Sequence, residues 1–115
     1  MKFGTLYRQG EIIIIPFPFS DLSGTKQRPV LILSKNEDNS KSDDIIACGI
    51  TSNLKDSKYS VFISDENIIA GSIPTKSKIK VDKLFTVEKG IIKKRLAEID
   101  NSTFNKVRQE FLKLI

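Results

Sequence analysis

A mainly β fold, a small closed or half-open barrel with one helix at its C-terminal end, is what this sequence predicts. Three observations carry the prediction. Strand-sized runs such as Ile12 to Ile15, Val30 to Leu33 and Ile45 to Cys48 are apolar at successive positions, so both faces of those strands are buried. Polar, turn-rich stretches separate them. Only the final segment has helical spacing. In a chain of 115 residues with no internal repeat and no linker, such strands curl around a core within one domain, residues 1–115.

The elements follow in order. Residues 10–15 read as a central strand. Pro16-Phe17-Pro18-Phe19 cannot donate normally to a ladder, so this part is expected to leave the sheet or lie on an edge. Ser20 to Gln27 is rich in turn formers and long enough for a mobile flap. Residues 29–34 form the second strand, 36–43 a polar loop, 44–51 the third strand and 59–63 the fourth. Asn67 to Ala70 is a short segment before Gly71, and 72–82 hold one or two strands interrupted near Pro74. Residues 84–87 and 94–99 read as short strands, with a turn or single helical turn at 88–91. Asp100 or Ser102 caps the helix, whose stripe of Phe104, Val107, Phe111 and Leu112 packs across the barrel.

Composition removes several kinds of chemistry. The chain has no histidine, which excludes Ser-His-Asp and Cys-His nucleophile systems. With one cysteine besides, no transition-metal site and no cofactor is implied. Cys48 lies in an apolar run and is expected to be a buried, inert thiol. There is no P-loop and no dinucleotide fingerprint. Asp43 and Asp44 are adjacent and point to opposite sides of a strand, as solvated charges at a loop end. No apolar stretch reaches membrane-spanning length and the N-terminus lacks a signal-peptide layout, so the expected location is the cytoplasm.

The net charge of +5, from 19 Lys and Arg against 14 Asp and Glu, permits a polyanionic partner without requiring one. The excess concentrates in 76–95, where lysines predominate over Asp82 and Glu88. That stretch reads either as a solvated face that protects strand edges or as a binding surface.

Chemistry then has few places to reside. Arg28 opens the second strand and Thr51 closes the third, followed by Ser52 and Asn53. A guanidinium offers a planar fork that matches two phosphate oxygens, and a hydroxyl can hold a third. Such a pair suits a pentavalent phosphorane, and RNA brings its own nucleophile in the 2′-hydroxyl. The alternative is structural: Arg28 would anchor a loop to a carboxylate such as Asp21, and Thr51 would be a turn residue.

An ordered set of segments resembles the MazF/PemK family of toxin endoribonucleases, nearly end to end. Gly10-Glu11-Ile12-Ile13 followed by Pro16-Phe17 looks like the family's opening segment. Arg28-Pro29-Val30-Leu31-Ile32-Leu33 and Ile50-Thr51-Ser52 match its two signatures, and Asp82 to Val87 resembles a later strand. The resemblance implies an SH3-like barrel, usually a homodimer, that cleaves single-stranded RNA without a metal and is held inactive by an acidic antitoxin. The 2′-hydroxyl attacks the adjacent phosphate, leaving 2′,3′-cyclic phosphate and 5′-hydroxyl ends.

Carried over position by position, Arg28 and Thr51 match the catalytic arginine and threonine. The expected RNA contacts are Asp21, Ser23, Lys26 and Gln27 of the flap, Ser52 and Asn53 beside Thr51, and Lys80 and Lys83. One departure is informative. Some members carry an acid just before the signature arginine, whereas Gly24-Thr25-Lys26-Gln27 has none, so the base is unassigned or passes to Asp21. Two other functions stay open on the same fold: a CcdB-like gyrase inhibitor, and a non-catalytic barrel that binds RNA or protein.

Overall fold

Among the described residues, seven antiparallel strands make one curled sheet, with a helix across it. The computed structural model describes residues 6–18 and 25–115. The strands are Glu11–Pro18 (β1), Thr25–Ile32 (β2), Asp44–Thr51 (β3), Ser60–Ile63 (β4), Ile68–Gly71 (β5), Ser77–Glu88 (β6) and Lys94–Ile99 (β7). The helices are Asn36–Lys41 (α1) and Asn101–Leu114 (α2), with short 3-10 turns at Asp65–Asn67 and Lys89–Ile91. Spatial order is β4-β6-β3-β2-β1-β7-β5, so β4 and β5 are the edges of a half-open barrel. The predicted fold class is therefore the observed one.

Both faces of the central strands are buried, as the uninterrupted apolar runs require. Ile12, Leu31, Cys48, Ile79, Val81 and Val107 gather on one face. Their chain neighbours Ile13, Val30, Ile32 and Ala47 gather with Ile15, Ile45 and Val87 on the other. Each fully buried Ile or Leu contributes about 2 kcal/mol by leaving water. Cys48 belongs to the first cluster, and burial, with a smaller effect from Asp82, pushes its thiol up to about 12. We expect no labelling of native protein by a thiol reagent at about pH 8, and one equivalent after unfolding. Labelling of the native protein at the rate of a free thiol would contradict this.

The prolines of β1 stay in the sheet, on its free side. Pro16 and Pro18 pair with Gln27 and Thr25, while the β1–β7 ladder ends at Ile14 and Lys94. The Ile14 carbonyl accepts from Lys93 N at 2.8 Å, so its polar groups face β7. Two and four residues on, the missing N–H groups of Pro16 and Pro18 point the same way, beyond the end of β7. This pairing draws Thr25–Gln27 into β2, so those flap residues are strand. Residues 20–24 of the expected flap lie outside the described residues.

Three further expectations change. Asn36–Lys41 is a short helix rather than a loop. Asn39, buried within it, gives Nδ2 to Ser34 O at 2.9 Å and accepts from Ser34 Oγ, while its carbonyl accepts from Lys89 Nζ. Long-range partners, not helix propensity, hold that turn. The segment 77–88 is one strand, because Pro74 precedes it instead of interrupting it. On α2, Thr103 and Val107 are buried and Phe104 and Phe111 half-buried, but Leu112 is 59% exposed. The helix is turned so that Thr103, Val107 and Leu114 face the sheet, which rotates Leu112 outward. Asp100 is its cap, accepting from Thr103 N at 2.7 Å, and the Thr103 hydrogen bonds hold its carboxyl below the usual carboxylate range.

Two local features secure the β1–β7–β5 side. Glu11 is only 1% exposed and accepts from Arg8 N at 2.8 Å and Arg95 Nε at 3.2 Å. The Arg95 guanidinium lies over the Tyr7 ring, 4.2 Å from its centroid. At Gly71 (φ +70°) a Cβ would stand 2.2 Å from Leu96 O, so only glycine lets β5 approach β7 this closely.

Candidate active site

The β2–β3 ladder ends at Val30 and Gly49. Continuing the same register two residues further sets Arg28 against Thr51, on one face, where the strands have stopped hydrogen-bonding. Arg28 is exposed and Thr51 half-buried. Together with Pro29, Val30, Gly49, Ile50 and Phe85 they line a hollow of about 250 Å³. A larger one of about 340 Å³ adds Gln27, Ser52 and Ser77. Arg28 and Thr51 border both hollows.

Each neighbour has a local cause. Between Cys48 and Gly49 the β3–β6 register jumps, so that Cys48 faces Leu84 and Gly49 faces Lys80. Residues 81–83 bulge out of β6 there. A Cβ on Gly49 would lie 3.4 Å from Lys83 Cβ and 3.5 Å from the Phe85 ring, so its lack of a side chain leaves the hollow open. The bulge sets Lys80 opposite Gly49 and Lys83 against it, at the border of the site, and Lys80 Nζ lies 3.9 Å from Asp82 Oδ1. Thr51 Oγ1 accepts from Asn53 N at 3.1 Å, which leaves its hydroxyl proton to be offered to an anionic oxygen.

The sequence-predicted residues separate accordingly. Arg28, Thr51, Gln27 and Ser52 line the hollows, and Lys80 and Lys83 flank them. Lys26 is exposed on β2 opposite Phe17 and lines neither hollow. Asn53 is occupied in its own turn, its Oδ1 accepting from Lys55 N at 3.1 Å. Asp21 and Ser23 lie outside the described residues. Phe85, Gly49 and Asp82 were not singled out, because their place depends on the β6 bulge, which has no signature in the sequence. Among the described residues no three of His, Cys, Asp and Glu come together to hold a metal.

The basic stretch 76–95 is only in part a solvated face. Lys76, Lys83, Lys93 and Lys94 are exposed. Lys78, Lys89 and Arg95 instead hold together parts of the fold that are distant in sequence.

Fold and site define a small curled-sheet protein that presents an arginine and a threonine hydroxyl where the β2–β3 ladder has ended. The chain belongs to the family of PemK-like, MazF-like toxins of type II toxin–antitoxin systems, whose model matches residues 8–115. Solved structures share the fold at low identity. A MazE–MazF structure (Form-III) from Deinococcus radiodurans has a TM-score of 0.77 at 20% identity, covering 95% of this chain and 95% of that one. An endoribonuclease from Mycobacterial species has a TM-score of 0.75 at 20% identity, covering 97% and 93%. An endoribonuclease in complex with its cognate antitoxin, also from Mycobacterial species, has a TM-score of 0.71 at 21% identity, covering 93% and 92%. Comparison with the curated proteins gave no match.

Proposed function

We propose that this toxin is an endoribonuclease that cleaves single-stranded RNA without a metal ion. The observation that carries the reading is the register that sets Arg28 against Thr51 over an open hollow, with Lys80 and Lys83 beside its Gly49 wall. A scissile phosphate seated there receives the guanidinium fork on two oxygens and the Thr51 hydroxyl on a third. The 2′-oxygen forms its bond to phosphorus as the bond to the 5′-oxygen breaks. Arg28 stabilises the added negative charge of the phosphorane, and Thr51 fixes the phosphate for in-line attack.

The 2′-hydroxyl proton needs an acceptor and the 5′-oxygen a donor. A guanidinium, with a pKa above about 12, is a poor base. Asp82, on the bulge beside Lys83, is the carboxylate this reading assigns to the first task, and water entering the open hollow gives the 5′-oxygen its proton. Ser52, Gln27, Lys80 and Lys83 supply contacts to flanking nucleotides.

The partners follow from the same surface. An acidic antitoxin segment complements the basic border and closes the hollow to RNA. The protein acts as a homodimer, for which the exposed Ile46, Leu84, Leu112 and Ile115 offer apolar contact. No helix among the described residues is long and apolar enough to cross a membrane, and the proposed site of action is the cytoplasm.

The test is cleavage of a single-stranded oligoribonucleotide in excess EDTA, with the ends mapped. The reading predicts a 2′,3′-cyclic phosphate upstream and a 5′-hydroxyl downstream. A strict need for divalent metal, or 5′-phosphate products, would refute it.

A further inference from the structure

Lys78 is the basic residue of β6 that neither the solvated-face reading nor the site absorbs. It is 7% exposed, opposite Thr51 on β3 and Phe62 on β4. Its ammonium donates to Lys55 O and to Ser57 Oγ, the latter at 3.2 Å. No carboxylate among the described residues pairs with it. A desolvated ammonium satisfied by neutral acceptors alone is costly to keep, and an apolar residue would fill a strand position more cheaply.

What Lys78 holds explains its presence. Because β6 lies between β3 and β4, the connection from Thr51 to Ser60 must cross the β6 row that contains Lys78. Ser57 is tied to Ser60 through Ser60 Oγ to Ser57 O at 2.8 Å, and Tyr59 adopts the left-handed conformation at φ 55°. The crossing is thus a shaped turn whose middle rests on one buried cation. Its first residues are Thr51 and Ser52, both of which line the larger hollow.

We propose that Lys78 is a positioning residue, which latches the 52–59 connection to β6 and so sets the wall against which the RNA strand lies. The proposal rests on the ribonuclease reading and adds a determinant of substrate binding that acts through the 52–59 connection and not by contact with the reacting phosphate.

Two measurements on Lys78→Met and Lys78→Arg test it. In the protein without RNA, Lys78→Met should raise hydrogen exchange of the 53–59 amides about tenfold while β1 and β2 stay protected, the loss expected for one charged hydrogen bond. In cleavage assays its KM should rise about tenfold with kcat within about twofold, and Lys78→Arg should restore most of the KM. Unchanged exchange at 53–59 overturns the latch. Faster exchange with unaltered KM, or a fall confined to kcat, overturns the positioning role. Failure of the unaltered protein to cut RNA removes the ribonuclease reading and the positioning role with it, leaving the exchange result to judge the latch alone. Should Lys78→Met not fold, Ser57→Ala removes one acceptor at an exposed position, and should shift exchange and KM in the same direction by less.

Discussion

Arg28→Ala should lower the cleavage rate by about a thousandfold while leaving the fold intact. The expectation rests on where charge develops. The phosphorane carries one more negative charge than the bound phosphate, so donors aimed at it act on the barrier and not on binding alone. With no histidine in the chain and Thr51 supplying one hydroxyl, Arg28 is the cation that lines both hollows with the threonine, whereas Lys78 on the other side of Thr51 is buried and held by the 52–59 connection. Its side chain is exposed in β2 beyond the last β2–β3 pair, so truncation should cost no more than about 1 kcal/mol of unfolding free energy.

Arg28→Lys is the informative companion. It keeps the charge and loses the planar fork, so a loss between those of wild type and Arg28→Ala is expected. Single-turnover cleavage with unfolding curves for all three proteins separates activity from stability. Wild-type cleavage by Arg28→Ala would remove Arg28 from the chemistry, and growth arrest persisting in that variant would favour a non-catalytic inhibitor.

The largest loss of stability should come from Glu11→Ala, at about 3 kcal/mol. Glu11 is nearly inaccessible and accepts from both Arg8 N and Arg95 Nε. Removing the carboxylate leaves a mostly buried guanidinium, 17% exposed, stacked on Tyr7 with no other anion paired to it among the described residues. Arg95 Nη2 already lacks a hydrogen-bond partner among the described residues, so the site has little capacity to absorb the change. The cost is that of an uncompensated buried charge more than of a lost attraction. Arg95→Met added to Glu11→Ala should therefore recover part of the loss. Urea unfolding of the two single variants and the double variant measures this. A Glu11→Ala loss below about 1 kcal/mol, or a double variant less stable than Glu11→Ala, would contradict a buried ion pair.

Glu11 also shows how sequence and structure divide the explanation. In the sequence it belonged to an opening segment that pointed to a family. In the structure the same carboxylate fastens the turn at Arg8 to β7. The strands at 44–51, 59–63 and 94–99 were readable because period and apolar runs are local properties, and so was the Asp100 cap. The short helix at 36–41 was not, since Asn39 owes its place to Ser34 and to Lys89, which is fifty residues away. The single long β6 was missed for a related reason. Its bulge satisfies the curvature of the sheet, and curvature is settled between strands.

The candidate site divides in the same way. Absence of histidine, one cysteine in an apolar run, and the candidate pair Arg28 and Thr51 were all determined by the sequence, because residue type alone limits chemistry; that β2 begins at Thr25 and so places Arg28 within the strand, not at its mouth, was not. Register decided the rest. It set Arg28 against Thr51, brought Phe85, Lys83 and Asp82 to the border through a bulge, and turned Asn53 back into its own loop. It also buried Lys78 beneath the connection it holds, although its spacing in the sequence is that of an ordinary surface lysine. The physical reason is that a side chain's chemistry belongs to the residue, whereas its partners and its exposure to water are set by strands that meet only when the sheet closes.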